Sequence, residues 1–557
     1  MSGLEALRTA TSHHTRMSEP TRVQWRSWDS DAFAEARQTD TPILLSLTVA
    51  WSKECQEMDT RTYAEPRIAA NVNDRFVPVR VDADRHPRVR ERYAMGGFPT
   101  VAFLTPDGKL LTGATYVGPE GFRKIIERVR DMWRQNGADA GRVPRSLADN
   151  PTPRAPLDAA IEEHLAGQLT EQFDREFGGW GTDAKFPLPR TIEFALKRER
   201  ETATRTLDAI ESNLFDSVAG GFFRFAGNRD WTDVRYEKTI EDNAGLLSAF
   251  ANGYLYTGEE RYRETAAQTI EFLTDELWTG VAVGGSLGPG QGASYYAADA
   301  EERESLPGPQ CDLTVFAGGN ALVADALLTY HAYTDDERAR TYADRILTAI
   351  ETDLLEDDVV VRFDDGTEQG ERLLLTDTAR VISAFVSAQQ VLGDRRRVEK
   401  AAAIADRAIE ELFVDGTFLD GPSIDVGMLD RPLRPLDGTV EMADALYELS
   451  VLTGDNGYES VAREAIEAFG GAWDRMGVHV AGYGSIAHRL LEDPLVVEIG
   501  GPAGTDLHRA ALRIADHDAI IVPDANGVPP GEATVRGSDD VATHPDELLS
   551  IVADRLA

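Results

Sequence analysis

Cysteine is nearly missing from this chain: Cys55 and Cys311 are its two thiols in 557 residues. So few exclude a disulfide framework and fit a reducing, cytoplasmic setting. Lysine is almost as scarce, since seven of the 57 bases are lysine and the rest arginine. The ten histidines show no zinc-ligand spacing, so no metal is expected, and no motif calls for a cofactor. Apolar runs of about 18 residues are missing too, which leaves no candidate membrane span. Met1 to Pro20 lacks the apolar stretch of a secretory signal. Residues 1–21 are read as a disordered tail, with Met17 as an alternative start.

Acid is what the chain has in excess. Ninety-five acidic residues give a net charge of −38. The apolar periodicity is too regular for disorder. The expected surface is therefore acidic, hydrated and halophilic, with salt screening the self-repulsion. Such a field disfavours nucleic acid and anionic membranes as partners. Hydrophobic residues make up 42%, enough for several cores in a chain too long for one domain.

Residues 22–134 alternate helix and strand signals. Ser30 to Thr39 reads as helix, and Pro42–Leu47 and Phe76–Asp82 as central strands. Thr100–Leu104 and Thr115–Val117 read as strands flanking the turn at Pro106–Gly108, and Pro119–Trp133 as a closing helix. Trp51-Ser52-Lys53-Glu54-Cys55-Gln56-Glu57-Met58 and Gly96-Gly97-Phe98-Pro99-Thr100 resemble the active-site helix start and cis-proline loop of a thioredoxin-like domain. Ser52 stands where the first thiol of C-x-x-C is expected. A hydroxyl neither attacks a disulfide nor resolves one at neutral pH. It can cap a helix, with Cys55 one turn on as a small buried hydrophobe.

Residues 135–157 lack periodicity and read as a linker. From 158 to 493 long amphipathic helices repeat, at irregular spacing. Each hairpin ends on an aromatic or leucine followed by acids and glycines, as in Phe173-Asp-Arg-Glu-Phe-Gly-Gly-Trp180 and Leu214-Phe-Asp-Ser-Val-Ala-Gly-Gly-Phe222. About six such hairpins suit a closed (α/α)6 toroid better than a solenoid. Residues 494–557 read as a small α/β segment, with strands at 495–499 and 519–522 and helices at 505–515 and 545–556.

The stretch Trp231 to Asn243 concentrates Trp, Arg, Tyr, Glu, Lys and Asp. Aromatic platforms beside carboxylates are what a saccharide site needs, because rings stack on pyranose C–H faces while acids bind hydroxyls or move protons. The bland alternative is a helix N-terminus with favourable acids. Glu237 and Asp242 would lie ~140° apart on one helix, so one faces the funnel. Glu237, nearer the aromatic cluster, is expected to be that one.

These blocks, in this order, resemble the spermatogenesis-associated protein 20 family, in which a thioredoxin-like domain is joined to a six-hairpin glycosidase-like domain. Phe177-Gly-Gly-Trp-Gly, Ala184-Lys-Phe-Pro187 and Asp299-Ala-Glu301 are similar to family blocks. Trp231 through Ala244 resembles W-x-x-P-H-F-E-K-M-L-Y-D-N/Q-A, with Arg235 in place of the histidine. The resemblance implies a multidomain α/β plus α protein. The toroid would bind or act on a carbohydrate, as an epimerase- or glycosidase-like enzyme. Glu237, Asp242 and Arg235 are then candidate catalytic groups, and Trp231, Tyr236, Lys238 and Asp299 candidate substrate contacts. Ser52, Cys55 and Pro99 mark the degenerate redox site. Two other readings stay open: a noncatalytic interaction or redox-regulatory protein with a partner at the cis-Pro99 edge, and a monothiol reductase using Cys55.

Overall fold

The computed structural model describes residues 21–147, 152–492 and 494–556; the expected tail, but for residue 21, lies outside them. Four strands form the first sheet: β1 (Ile43–Thr48), β2 (Val77–Asp82), β3 (Thr100–Leu104) and β4 (Leu110–Ala114). Their order is β2-β1-β3-β4, with β1 and β2 parallel and the other pairs antiparallel. The last strand is not at Thr115–Val117. The turn after Leu104 is tight, so the chain re-enters the sheet at Leu110 and leaves it before Thr115. Helices α1 (Ser30–Thr39), α2 (Lys53–Glu57), α3 (Pro66–Arg75), α4 (Pro87–Tyr93) and α5 (Pro119–Asn136) flank it. β1 is buried at every position because helices cover both faces. Part of the expected linker is tied to this sheet, since Arg142 and Leu110 exchange backbone hydrogen bonds of 2.9 and 2.8 Å.

Twelve helices follow as six hairpins. The outer ones are α6 (Ala160–Glu171), α8 (Arg200–Leu214), α10 (Glu260–Glu271), α12 (Glu337–Asp353), α14 (Arg395–Leu412) and α16 (Asn456–Glu467). The inner ones are α7 (Pro189–Arg198), α9 (Ile240–Thr257), α11 (Ala317–Thr334), α13 (Leu375–Leu392), α15 (Leu436–Thr453) and α17 (Ala481–Leu491). Each inner helix packs on the next, and α17 packs back on α7, which closes the ring. The fold is therefore a thioredoxin-like unit joined to an (α/α)6 toroid. One continuous hydrophobic core runs between the inner and outer layers.

The last unit has strands β5 (Val496–Ile499), β6 (Ile520–Val522), β7 (Ala533–Val535) and β8 (Val541–Ala542), in the order β6-β5-β7-β8. Helices α18 (Asp506–Leu512) and α19 (Pro545–Leu556) complete it. The sequence pattern showed β5 and β6 but not the short β7 and β8. This unit sits at the C-terminal ends of the inner helices. Ile521 N–H donates to the Gln390 side chain at 2.9 Å, and Lys197 reaches Asp516 and Asp518 at 2.7 and 3.0 Å.

The thioredoxin-like unit is clamped to the toroid loops. Arg92, whose side chain is fully buried, reaches Asp420 at 2.7 Å and the carbonyls of Met428 and Arg431 at 3.1 and 2.7 Å. Arg88 shares Asp420 at 3.2 Å and binds the Pro422 carbonyl at 2.7 Å. Met428 and Leu429, from a toroid loop, pack into the same core as Phe33, Val89 and Tyr93. Among the described residues no helix is long and apolar enough to cross a membrane.

Candidate active site in the toroid bore

The hairpin-end motifs do structural work. At the first, Asp174 accepts the N–H groups of Glu176 and Phe177 and binds Lys185 at 2.9 Å and Arg229 at 2.7 Å. At the second, Asp216 accepts from Val218 and Ala219, and binds Lys238 at 2.8 Å and Arg303 at 2.9 and 3.0 Å. Burial alone would raise both carboxyls; the cations hold both below the usual carboxylate range. The turn needs glycine at Gly220 and Gly221, which sit at φ +71° and +73°. A Cβ there would meet the Gln268 carbonyl at 2.3 Å or the Phe272 ring at 2.4 Å. Asn243 then pins Phe222 N–H at 2.6 Å, as Asn320 pins Val283 N–H at 2.9 Å one hairpin later.

This places most of the expected site residues outside the bore. Lys238 is fully buried against Asp216. Trp231 is 3% exposed, and its indole N–H donates to the Phe177 carbonyl at 2.9 Å, so neither ring face is free for a ligand. Tyr236 stacks on Tyr296 at 5.4 Å. Asp299 caps the short helix Ala300–Ser305 by accepting from Glu302 N–H at 2.9 Å. Arg235 lies 3.8 Å from Glu54 of the thioredoxin-like unit. Glu237 faces Arg224 at 3.5 Å; burial raises its pKa, with Arg224 opposing. The geometric expectation for Glu237 and Asp242 is reversed. Helix α9 begins at Ile240, with Thr239 as its N-cap. Glu237 thus precedes the helix, and Asp242 points inward.

The bore is a cavity of about 590 Å³ lined by one polar stripe from each inner helix. The stripes follow helical spacing: Arg190 and Glu193 on α7; Glu241, Gly245, Ser248 and Asn252 on α9; Asp325 and Thr329 on α11; Arg380, Ser383 and Ser387 on α13; Glu441, Asp444 and Glu448 on α15; Ser485 and Arg489 on α17. Asp516, His517 and Asp518 of the last unit line it too. Ten carboxylates line the bore against three arginines. At the N-terminal rim, Arg380 bonds Glu241 at 2.9 Å and Glu441 at 2.8 Å. Its charge holds Glu241, whose side chain is 52% exposed, down at about 2. Its neighbour Asp242 is pushed up to about 6 by burial, against a 2.6 Å hydrogen bond from the Thr239 hydroxyl. Deeper in, burial raises Glu193 to about 7, with the charges of Asp325 and Asp518 adding to it and Arg190 and Asn252 opposing. Asn252 donates to Glu193 at 3.2 Å and accepts from Tyr333 at 3.0 Å.

In the thioredoxin-like unit, Ser52 caps α2 by accepting from Cys55 N–H at 3.3 Å. Cys55 is 5% exposed, and burial pushes its thiol up to about 11. Phe98–Pro99 is cis, and Phe98 packs edge-on to Trp51 at 5.9 Å. This face turns toward the toroid: Gln56 bonds Gln310 at 3.1 Å, and Arg224 lies over Trp51 at 4.3 Å.

A thioredoxin-like unit and a helical toroid in one chain define the class of protein. Residues 4–150 match the family model Thioredox_DsbH, described as a protein of unknown function, DUF255; that match takes in part of the expected tail. The chain is a homologue of the proteins named spermatogenesis-associated protein 20. The Homo sapiens protein is 28% identical over 318 residues, 50% of this chain and 39% of that protein. The Mus musculus protein is 26% identical over 361 residues, 56% of this chain and 45% of its own. The matched stretch thus spans less than half the length of these relatives. Among solved structures, a sugar epimerase from a ruminal bacterium superposes with a TM-score of 0.46 at 12% identity, over 55% of this chain and 84% of that one. A D-mannose isomerase does so at 0.44 and 13%, over 58% and 87%.

Proposed function

We propose that the toroid bore binds a small saccharide, neutral or amine-bearing, and that Asp242 and Glu193 hold and move its protons. The observation that carries this reading is the cavity itself. Its volume suits one or two sugar rings, and its lining mixes hydroxyl, amide and carboxyl groups with apolar side chains in similar measure. Its excess of carboxylates disfavours phosphorylated or uronic sugars. Glu241 stays ionised beside Arg380 while Asp242 titrates near 6. Neighbouring carboxyls pushed apart in this way divide acid from base work. The sugar-processing names of the solved relatives agree with this reading. The thioredoxin-like unit serves as a docked, redox-silent module, because Ser52 is engaged as a helix cap and Cys55 is a sheltered thiol.

Calorimetric titration of neutral and amino monosaccharides tests the bore. At least one should bind, and Asp242→Asn and Glu193→Gln should each weaken it about tenfold, as the loss of one charged hydrogen bond does. A sugar bound equally by wild type and both variants, or no sugar bound at all, overturns the proposal.

A further inference from the structure

Phe186 is 43% exposed and stacks on Phe225 with ring centroids 4.6 Å apart and planes at 21°. Neither ring belongs to the toroid's hydrophobic core, so burial there does not account for the pair. The stack continues across the junction between units. The Arg224 guanidinium lies 5.5 Å from the Phe225 ring and 4.3 Å from Trp51, and it faces Glu237 at 3.5 Å. Two and three residues beyond Phe186, Leu188 and Pro189 line the bore, and the Arg224 charge is felt by Asp242 inside it.

We propose that Phe186, Phe225 and Arg224 form an outer saccharide subsite at the doorway of the bore, so that the preferred ligand is an oligosaccharide rather than a single sugar. This rests on the bore reading above. An exposed, stacked aromatic ring such as Phe186 fits the C–H face of a pyranose. The guanidinium beside it, 34% exposed, offers donors to the ring hydroxyls. The occupant is the next ring of a chain whose end sits in the bore. The platform that the sequence assigned to Trp231 and Tyr236 is thus supplied by a phenylalanine pair drawn from two other segments of the chain.

Binding of glucose, glucosamine and their β-1,4-linked dimers and trimers provides the test. In wild type, dimers and trimers should bind about tenfold tighter than the monomer, the usual gain from one stacked ring. Phe186→Ala should abolish that gain and leave monomer affinity unchanged, while Phe186→Tyr should keep it. Equal affinity for all lengths in wild type, a gain that survives Phe186→Ala, or equal loss for monomer and trimer each overturns the subsite. Dimer binding that depends on Phe186 without any monomer binding would instead refute the bore reading and leave the outer stack standing. No binding of either refutes both.

Discussion

Two sets of carboxylates in the toroid, one buried at the hairpin ends and one half-buried in the bore wall, behave in opposite ways. Asp174 and Asp216, at the hairpin ends, each bind a lysine, an arginine and two backbone N–H groups, and their pKa values fall. Glu193, Asp242 and Asp325, in the bore, lack a direct bond to a cation; burial comes first among the causes that raise them. The first set is consumed by the fold. The second is held at a cost to stability, as the raised pKa values imply, and the proposed ligand site draws on it. The motifs easiest to recognise in the sequence, Gly-Gly-aromatic and Glu-Lys, belong to the first set.

Substitutions can break this contrast. Asp216→Ala leaves Lys238 and Arg303 buried without their anion and should destabilise the protein by about 3–5 kcal/mol; Asp325→Asn should cost under ~1 kcal/mol. Chemical denaturation measures both, and equal losses would erase the distinction. The pH dependence sharpens it. Glu193 has a folded pKa of about 7, above an unfolded value of about 4.3. The folded state therefore favours its protonated form. Stability is fullest below the unfolded pKa and declines as pH rises through the folded one. Glu193→Gln should remove that decline and exceed wild type above pH 7 by on the order of 2 kcal/mol. A variant whose stability follows wild type from pH 4 to 8 would show that the carboxyl is not strained.

Ser52→Ala should cost about 1 kcal/mol, the ordinary worth of an N-cap. Wild type should not reduce insulin disulfides, and native Cys55 should resist alkylation at pH 8; rapid labelling or turnover lost in Cys55→Ser would revive the monothiol reading. The smallest effect concerns the whole surface. With a net charge of −38, molar salt should raise the melting temperature by a few degrees through screening, and a flat response would remove the halophilic reading.

The local signals were legible. Ser30–Thr39 and Thr100–Leu104 fall where the pattern put them, as does the Ser52 cap, because a cap, a helix period and a buried strand are local properties. Thr115–Val117 misled because it reads as strand, yet the pairing of β4 with β3 had already ended at Ala114. The number of hairpins followed from repetition, and a ring followed from their loops.

The site did not follow. Its residues were visible as isolated polar groups on otherwise apolar helices, such as Asp325 in α11 or the Glu441, Asp444, Glu448 stripe of α15. A single stripe on one helix means little. It becomes a cavity wall only when six helices close and turn their stripes to one axis, and sequence carries no local record of that rotation. The same closure decided between Glu237 and Asp242. Five residues separate them in the chain, but one precedes the helix and pairs with Arg224, while the other stands in its first turn and faces the bore. Sequence determined the long helices, the buried central strands and the Ser52 cap. Tertiary packing alone decided which charges are paired, which are left to titrate, and which side of the ring they see, because those depend on distances between residues far apart along the chain.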